Sequence, residues 1–172
     1  HTVKKIWRHD RSDAFSLVGT FFAVLVAGVE TGIACGIGLS LFSVIWRASH
    51  PYIAIIGRVP GTGHFRNILH YQVETHSKIL MIRIDENLFF GNAHVIEQRL
   101  RQEWQNHPEA CHLVLVMSSV SHIDSTALEM LETLNADLKK AGVLLHLAEL
   151  KAFVQKPIAQ SDFMQQLSGT LF

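Results

Sequence analysis

Residues 14–45 hold a single charged side chain, Glu30, in a run otherwise dominated by Phe, Val, Leu, Ile, Ala and Gly. A stretch this long and this apolar must be buried, either in a large protein core or in a bilayer. As one straight helix it would extend about 48 Å at 1.5 Å per residue, well beyond a hydrocarbon core of about 30 Å. Splitting it at Gly28-Val29-Glu30-Thr31-Gly32 gives two helices of about 15 residues each, short as independent spans but workable when packed inside a larger membrane protein.

Flanking charge supports the split. Lys4, Lys5, Arg8 and Arg11 precede the run, and Arg47, Arg58 and Arg66 follow it. Basic residues mark the cytoplasmic side, so both ends belong there, which a hairpin satisfies and a single span does not. Glu30 then falls at the far turn as a solvated carboxylate or, on a sharper reading, a buried coupling group. Gly28, Gly32, Gly36 and Ser40 recur every four positions, a pattern that lets membrane helices approach closely and predicts packing against other spans. The competing reading is a buried hairpin in a soluble protein, but the remaining chain is too small to cover it on all sides.

The 172 residues suffice for one ordinary domain plus this attachment. Lys plus Arg equals Asp plus Glu at 15 each, so no global basic field favours nucleic acid and no acidic excess suggests disorder. Cys35 and Cys111 have neither metal-site spacing nor a disulfide framework. The 11 histidines are scattered, without a His-Glu-x-x-His motif or Cys-His clustering, and no metal or cofactor is expected. The basic, polar start at His1 shows no signal peptide and reads as a cut piece of something longer.

After Pro51 short apolar runs alternate with amphipathic stretches, which predicts an α/β domain with its border near residues 49–51. Candidate strands are 52–56, 79–84, 113–117 and 143–148, each rich in Ile, Val or Leu. A helix is expected over 93–106, with Ala93, Ile96, Leu100 and Trp104 on one face and Asn92 as its cap. A second, over 126–141, places Ala127, Leu131, Leu134 and Leu138 on one face and stops at Gly142. A weaker third covers 152–160, where Pro157 would kink or end it. Gly57-Arg58-Val59-Pro60-Gly61-Thr62-Gly63 fails as a phosphate-binding loop, because His64 and Phe65 follow Gly63 in place of Lys and Ser or Thr, so it reads as a connecting turn.

The loop Ser121-His122-Ile123-Asp124-Ser125-Thr126 joins a strand end to a helix start, where open α/β sheets place ligands and chemistry. Thr126 and Glu129 match a capping box. A phosphate on Ser125 or Thr126 would meet free amides and a favourable helix dipole, with Asp124 opposing it by repulsion. Asp124, Ser125 and Thr126 are therefore the candidate regulatory loop. His122 is the only nearby imidazole and no Gly-x-Ser-x-Gly elbow is present, so catalysis is not expected.

Several segments, in order, resemble the SulP family of anion permeases. Arg11-Ser12-Asp13, Gly28-Val29-Glu30-Thr31-Gly32-Ile33, Leu39-Ser40-Leu41 and Arg47-Ala48-Ser49-His50-Pro51 are similar to that family's final two membrane helices. Gly57-Arg58-Val59-Pro60-Gly61-Thr62, Ile82-Arg83-Ile84-Asp85 and Leu88-Phe89-Phe90-Gly91-Asn92-Ala93 resemble the start of its STAS domain, and Ile123-Asp124-Ser125-Thr126-Ala127 resembles the STAS signature loop. The resemblance implies a transmembrane hairpin over residues 1–50 and a cytoplasmic α/β STAS domain over 51–172, with a small mixed sheet of about four strands and helices packed on it. It implies the C-terminal part of a secondary anion transporter of the bacterial inner membrane, its STAS domain regulating transport or binding partners. The anion, such as sulfate, bicarbonate or a dicarboxylate, would be handled by helices upstream. A homodimer and a cytoplasmic partner such as acyl carrier protein are further implications. The alternative is a membrane-tethered STAS signalling module of the anti-sigma-factor-antagonist kind, in which the position of Thr126 carries a phosphorylatable hydroxyl.

Overall fold

Gly28 divides the apolar run. The computed structural model describes residues 11–172, with helix α1 over Arg11–Ala27 and helix α2 over Val29–Ala48. Gly28 has φ +86°, a backbone region that side chains with a Cβ avoid, and its amide closes α1 on the Val24 carbonyl at 3.1 Å. Its own carbonyl accepts from Gly32 at 3.0 Å and starts α2, so one residue both ends and begins a helix. Glu30 lies exposed in the first turn of α2, where a carboxylate suits the helix dipole.

The small residues of α2 serve the hairpin itself. A Cβ on buried Gly32 would come within 2.8 Å of the Val24 Cα, and one on Gly36 within 2.9 Å of the Thr20 hydroxyl. The glycine repeat, expected to face further spans, is thus used at Gly32 and Gly36 to bring α2 against α1. Phe21, Phe22, Leu25, Ile37, Leu41 and Phe42 remain exposed. At 20 residues α2 is about 30 Å long and, among the described residues, is the helix long and apolar enough to cross a bilayer. The flanking cations Lys4, Lys5 and Arg8 lie outside the described residues.

The chain divides into two compact units between Ser49 and His50. The second is built on a five-stranded mixed sheet. β1 (Ile53–Arg58), β2 (Phe65–Asn67), β3 (Ile79–Ile84), β4 (His112–Val116) and β5 (Leu144–Ala148) are ordered β2-β1-β3-β4-β5. β1 is antiparallel to both its neighbours, while β3, β4 and β5 run parallel. Helices α3 (Ala93–Asn106) and α4 (Ser125–Lys140) make the crossovers, and α5 (Ala152–Gln160) and α6 (Phe163–Gln166) follow β5.

Strand alternation sorts the core. Leu80, Ile82 and Ile84 of β3, Leu113 and Leu115 of β4, and Leu145 and Leu147 of β5 share one face. They are packed with Ile96 and Leu100 of α3 and with Leu131, Leu134 and Leu138 of α4. The opposite face carries a smaller cluster of Ala54, Ile56, Val114 and Val116. At the end of α4 the chain makes a Schellman turn, with Val143 N–H donating to Leu138 at 2.9 Å, Gly142 N–H to Lys139 at 3.1 Å, and Gly142 at φ +79°. Pro157 does not end α5, because Val154 and Ile158 on either side of it are fully buried and hold the helix on the core.

Two readings are corrected. The sheet has a fifth strand, β2, and Gly57 and Arg58 belong to β1, so the connecting turn is confined to residues 59–64. Glycine is required at 57, since a Cβ there would sit 2.7 Å from Val73 Cγ2 and 2.8 Å from the Glu74 carbonyl oxygen.

Candidate functional site

The loops leaving the C-terminal ends of β3 and β4 meet beside the start of α4. Asn87, after β3, accepts through Oδ1 from the amides of Ser121 (2.8 Å) and His122 (3.1 Å) after β4. Leu88 N–H donates to the His122 carbonyl and Asp124 N–H to the Leu88 carbonyl, a short parallel bridge continuing the sheet beyond its strands. Buried Asn92 stands at the cap position of α3, but its side chain turns back, accepting from Phe89 N–H at 3.0 Å and donating to the Asn87 carbonyl at 2.8 Å. The expected cap thus holds the preceding loop.

Asp124 is the cap of α4. Its Oδ1 accepts from Ala127 N–H at 2.8 Å, the third amide of the helix, and its Oδ2 accepts from Phe90 N–H at 2.7 Å. One carboxylate therefore closes a helix end and ties two loops, at residues 34 apart in sequence. This corrects the capping-box reading. The helix starts at Ser125, so Thr126 is its second residue and Glu129 lies beyond capping reach. Ser125 and Thr126 are exposed, and neither hydroxyl is hydrogen-bonded to an imidazole or a carboxylate among the described residues.

Neighbouring polar groups are committed to one another. Arg83 forms a two-pronged pair with Asp85 at 2.7 and 2.8 Å, which raises the guanidinium pKa above its ordinary value. Ser119 reaches Asp85 at 3.3 Å, and the Lys151 ammonium donates to the Ser121 hydroxyl at 3.0 Å. Phe90 is 75 % exposed and meets Phe89 edge to face, ring centres 5.5 Å apart. The arrangement presents two exposed hydroxyls and one exposed aromatic ring on a braced frame. Asp124, Ser125 and Thr126 lie consecutively at the start of α4; Phe90 reaches Asp124, and Asn87 and Lys151 hold Ser121 and His122 just before it, tertiary contacts that no local pattern announces.

A second polar cluster lies at the other edge of the sheet. His146, buried on β5, approaches His112 of β4 at 3.0 Å, while its Nδ1 accepts from Thr170 N–H at 3.0 Å. Residues 168–172 run along β5, with Leu147 N–H donating to Thr170 and Phe172 N–H to Leu147. Burial, then the proximity of His112, holds the His146 imidazole below its ordinary pKa. Among the described residues no group of three His, Cys, Asp or Glu side chains could hold a metal ion.

Comparison with known proteins gives this geometry its context. The STAS domain family pattern matches residues 70–172. Sulfate transporter 4.1, chloroplastic, of Arabidopsis thaliana is 33% identical over 97% of the chain, which spans 26% of that protein. The structure of murine Solute Carrier 26 family member A9 in the inward-facing state superposes with a TM-score of 0.87 at 21% identity, over 97% of this chain and 28% of that one. An anti-sigma factor antagonist of Thermotoga maritima superposes with a TM-score of 0.51 at 17% identity, over 58% of this chain and 83% of that one. The chain thus spans about a quarter of the transporters it resembles and matches them across both its units, whereas the antagonist covers only part of it. It belongs to the STAS-domain family.

Proposed function

We propose that this chain is the C-terminal part of a SulP-type secondary anion transporter, with α1 and α2 as its closing membrane hairpin and residues 51–172 as a cytoplasmic STAS domain that regulates transport or docks partners. The carrying observation is the union in one chain of an apolar helical hairpin and a STAS domain, matched by a sulfate transporter across both. The domain performs no catalysis. Among the described residues its hydroxyls at Ser125 and Thr126 have no base beside them, and Asp124 is occupied by two amides. The anion is handled by helices upstream, so the charged groups described above do not contact it.

Basic residues on both flanks support a hairpin with both ends on the cytoplasmic side, which in a bacterium is the inner face of the inner membrane. Asp124, Ser125 and Thr126, with Phe90 beside them, form the regulatory surface. A cytoplasmic protein such as acyl carrier protein docks on the STAS surface, and the intact transporter is a homodimer. The tethered anti-sigma-antagonist reading is less favoured, because identity to the sulfate transporter continues through the hairpin.

Topology mapping tests the reading, with one reporter fused after Phe172 and another inserted near Glu30. A cytoplasmic signal at Phe172 and an external one at Glu30 are expected. A cytoplasmic signal at both positions sinks the hairpin.

A further inference from the structure

From the last residue of β1 to the start of β3 the chain carries three fixed cations, Arg58, Arg66 and Lys78, against one carboxylate, Glu74, together with His64, His70 and His76. All seven are exposed, and none of the three cations is paired with an acid among the described residues. This local excess stands out in a chain whose Lys plus Arg and Asp plus Glu totals are equal. Apolar side chains sit among the cations. Leu69 is 80 % exposed, Tyr71 55 % and Phe65 38 %, although each is large enough to be expected inside.

The backbone that presents them is fixed. Arg58 and Glu74 exchange amide-to-carbonyl bonds at 2.9 and 2.8 Å, and Ile68 N–H donates to Ile55 at 3.1 Å. Buried Asn67 donates to the Tyr52 hydroxyl at 2.7 Å and accepts from Leu69 N–H at 2.8 Å, which sets the turn that holds Leu69 outward. The Arg66 guanidinium lies 5.8 Å from the Tyr71 ring centre. At the centre is a groove of about 560 Å³, lined by Ile68, Ile79 and Met81 with Arg58 and His76 among its polar walls. Apolar tips among unpaired cations on a rigid backbone are what a negatively charged, greasy surface recognises, and little ordering entropy is lost on contact.

We propose that residues 58–78 dock on the anionic phospholipid surface of the bilayer that α1 and α2 enter, Leu69 and Tyr71 dipping among the headgroups while Arg58, Arg66 and Lys78 pair with phosphates. The inference rests on the membrane-hairpin reading. Four residues, 49–52, separate α2 from β1, so covalent geometry keeps β1 within about 18 Å of the end of α2 however the two units are oriented. The effective lipid concentration at this segment is therefore high without any further contact.

The test uses the full chain in nanodiscs of phosphatidylcholine, with and without phosphatidylglycerol, read by hydrogen exchange of the peptides covering 58–78 and, as control, α3. Expected are slower exchange across 58–78 in anionic discs only, loss of that protection at high salt, and no change in α3. Combined Arg58→Gln, Arg66→Gln and Lys78→Gln is expected to reduce the docked-to-undocked ratio roughly 100-fold, about fivefold per charge, and Leu69→Ser about tenfold. Equal exchange in both disc types, or protection that survives the triple substitution, overturns the inference. Failure of the chain to enter discs at all overturns the hairpin reading and this inference with it, an outcome distinct from entry without protection.

Discussion

Replacing Asp124 separates the two tasks its carboxylate performs. In Asp124→Ala both bonds vanish. The lost cap to Ala127 costs about 1 kcal/mol. The bond to Phe90 N–H is charge-assisted but exposed, so its loss adds about 1 to 1.5 kcal/mol, the freed amide being rehydrated. The sum is about 2 to 2.5 kcal/mol. Asp124→Asn keeps one acceptor oxygen for Ala127 and turns an amide group toward Phe90, so only the second bond is lost, at about 1 kcal/mol. Asp124→Ser retains a cap but is too short to reach Phe90, and should match Asn.

Urea unfolding of residues 50–172, followed through Trp104, its one tryptophan, measures these differences. With a denaturant slope of about 2 kcal/mol per molar, Asp124→Ala should lower the midpoint by about 1 M and the Asn and Ser variants by about half that. Hydrogen exchange at Phe90 should quicken in all three, and at Ala127 in Ala alone. If Asn is as damaging as Ala, or Ala is indistinguishable from wild type, the division of the carboxylate between a cap and a loop tie is wrong.

His146 is neutral in the folded state with its pKa below the ordinary 6.5, so the unfolded chain binds the proton more readily; stability is full above about pH 6.5 and is lost as the pH falls toward the folded value. His146→Asn, which can still accept from Thr170, should flatten the dependence of the urea midpoint on pH in that window. Gly57→Ala should cost about 1 to 3 kcal/mol, because the backbone at Glu74 cannot retreat without breaking its bonds to Arg58, and thermal unfolding will show it. Gly142→Ala, at φ +79°, should cost about 1 kcal/mol in the same assay without touching any side chain. Ser125→Glu places a second carboxylate on the start of α4, where attraction to the helix dipole and repulsion from Asp124 oppose each other; a stability change within about 0.5 kcal/mol is expected, and a gain above 1 kcal/mol would show that Asp124 does not already fill that site.

What was legible in the sequence follows from the range of the forces involved. The bounds of β3 and α3 match the expected 79–84 and 93–106, because an unbroken apolar run and a strong 3.6-residue period are local signals. A break within residues 28–32 was legible too, since two glycines flank the one acidic residue of a run too long to cross a bilayer as one helix, and the structure puts it at Gly28. β2 was not. Its three residues carry no period, and it is a strand only because the turn at residues 59–64 folds it back on β1. The strap at 168–172 is equally silent in sequence, being fixed by Asn135 and His146 from distant elements.

The start of α4 shows how a local rule loses to a tertiary one. Thr126 and Glu129 satisfy the capping-box spacing, and considered alone they would have begun the helix. Capping two residues earlier lets a single carboxylate, Asp124, serve Ala127 within the helix and Phe90 in the loop after β3. A threonine has one oxygen and cannot do both. The second partner is 34 residues away, so its pull on the helix start could not be read from the loop's own sequence. The same displacement leaves Ser125 and Thr126 with exposed hydroxyls that have no hydrogen-bond partner among the described residues, because the capping role is taken by their neighbour. A modification there would act next to the carboxylate that ties the two loops.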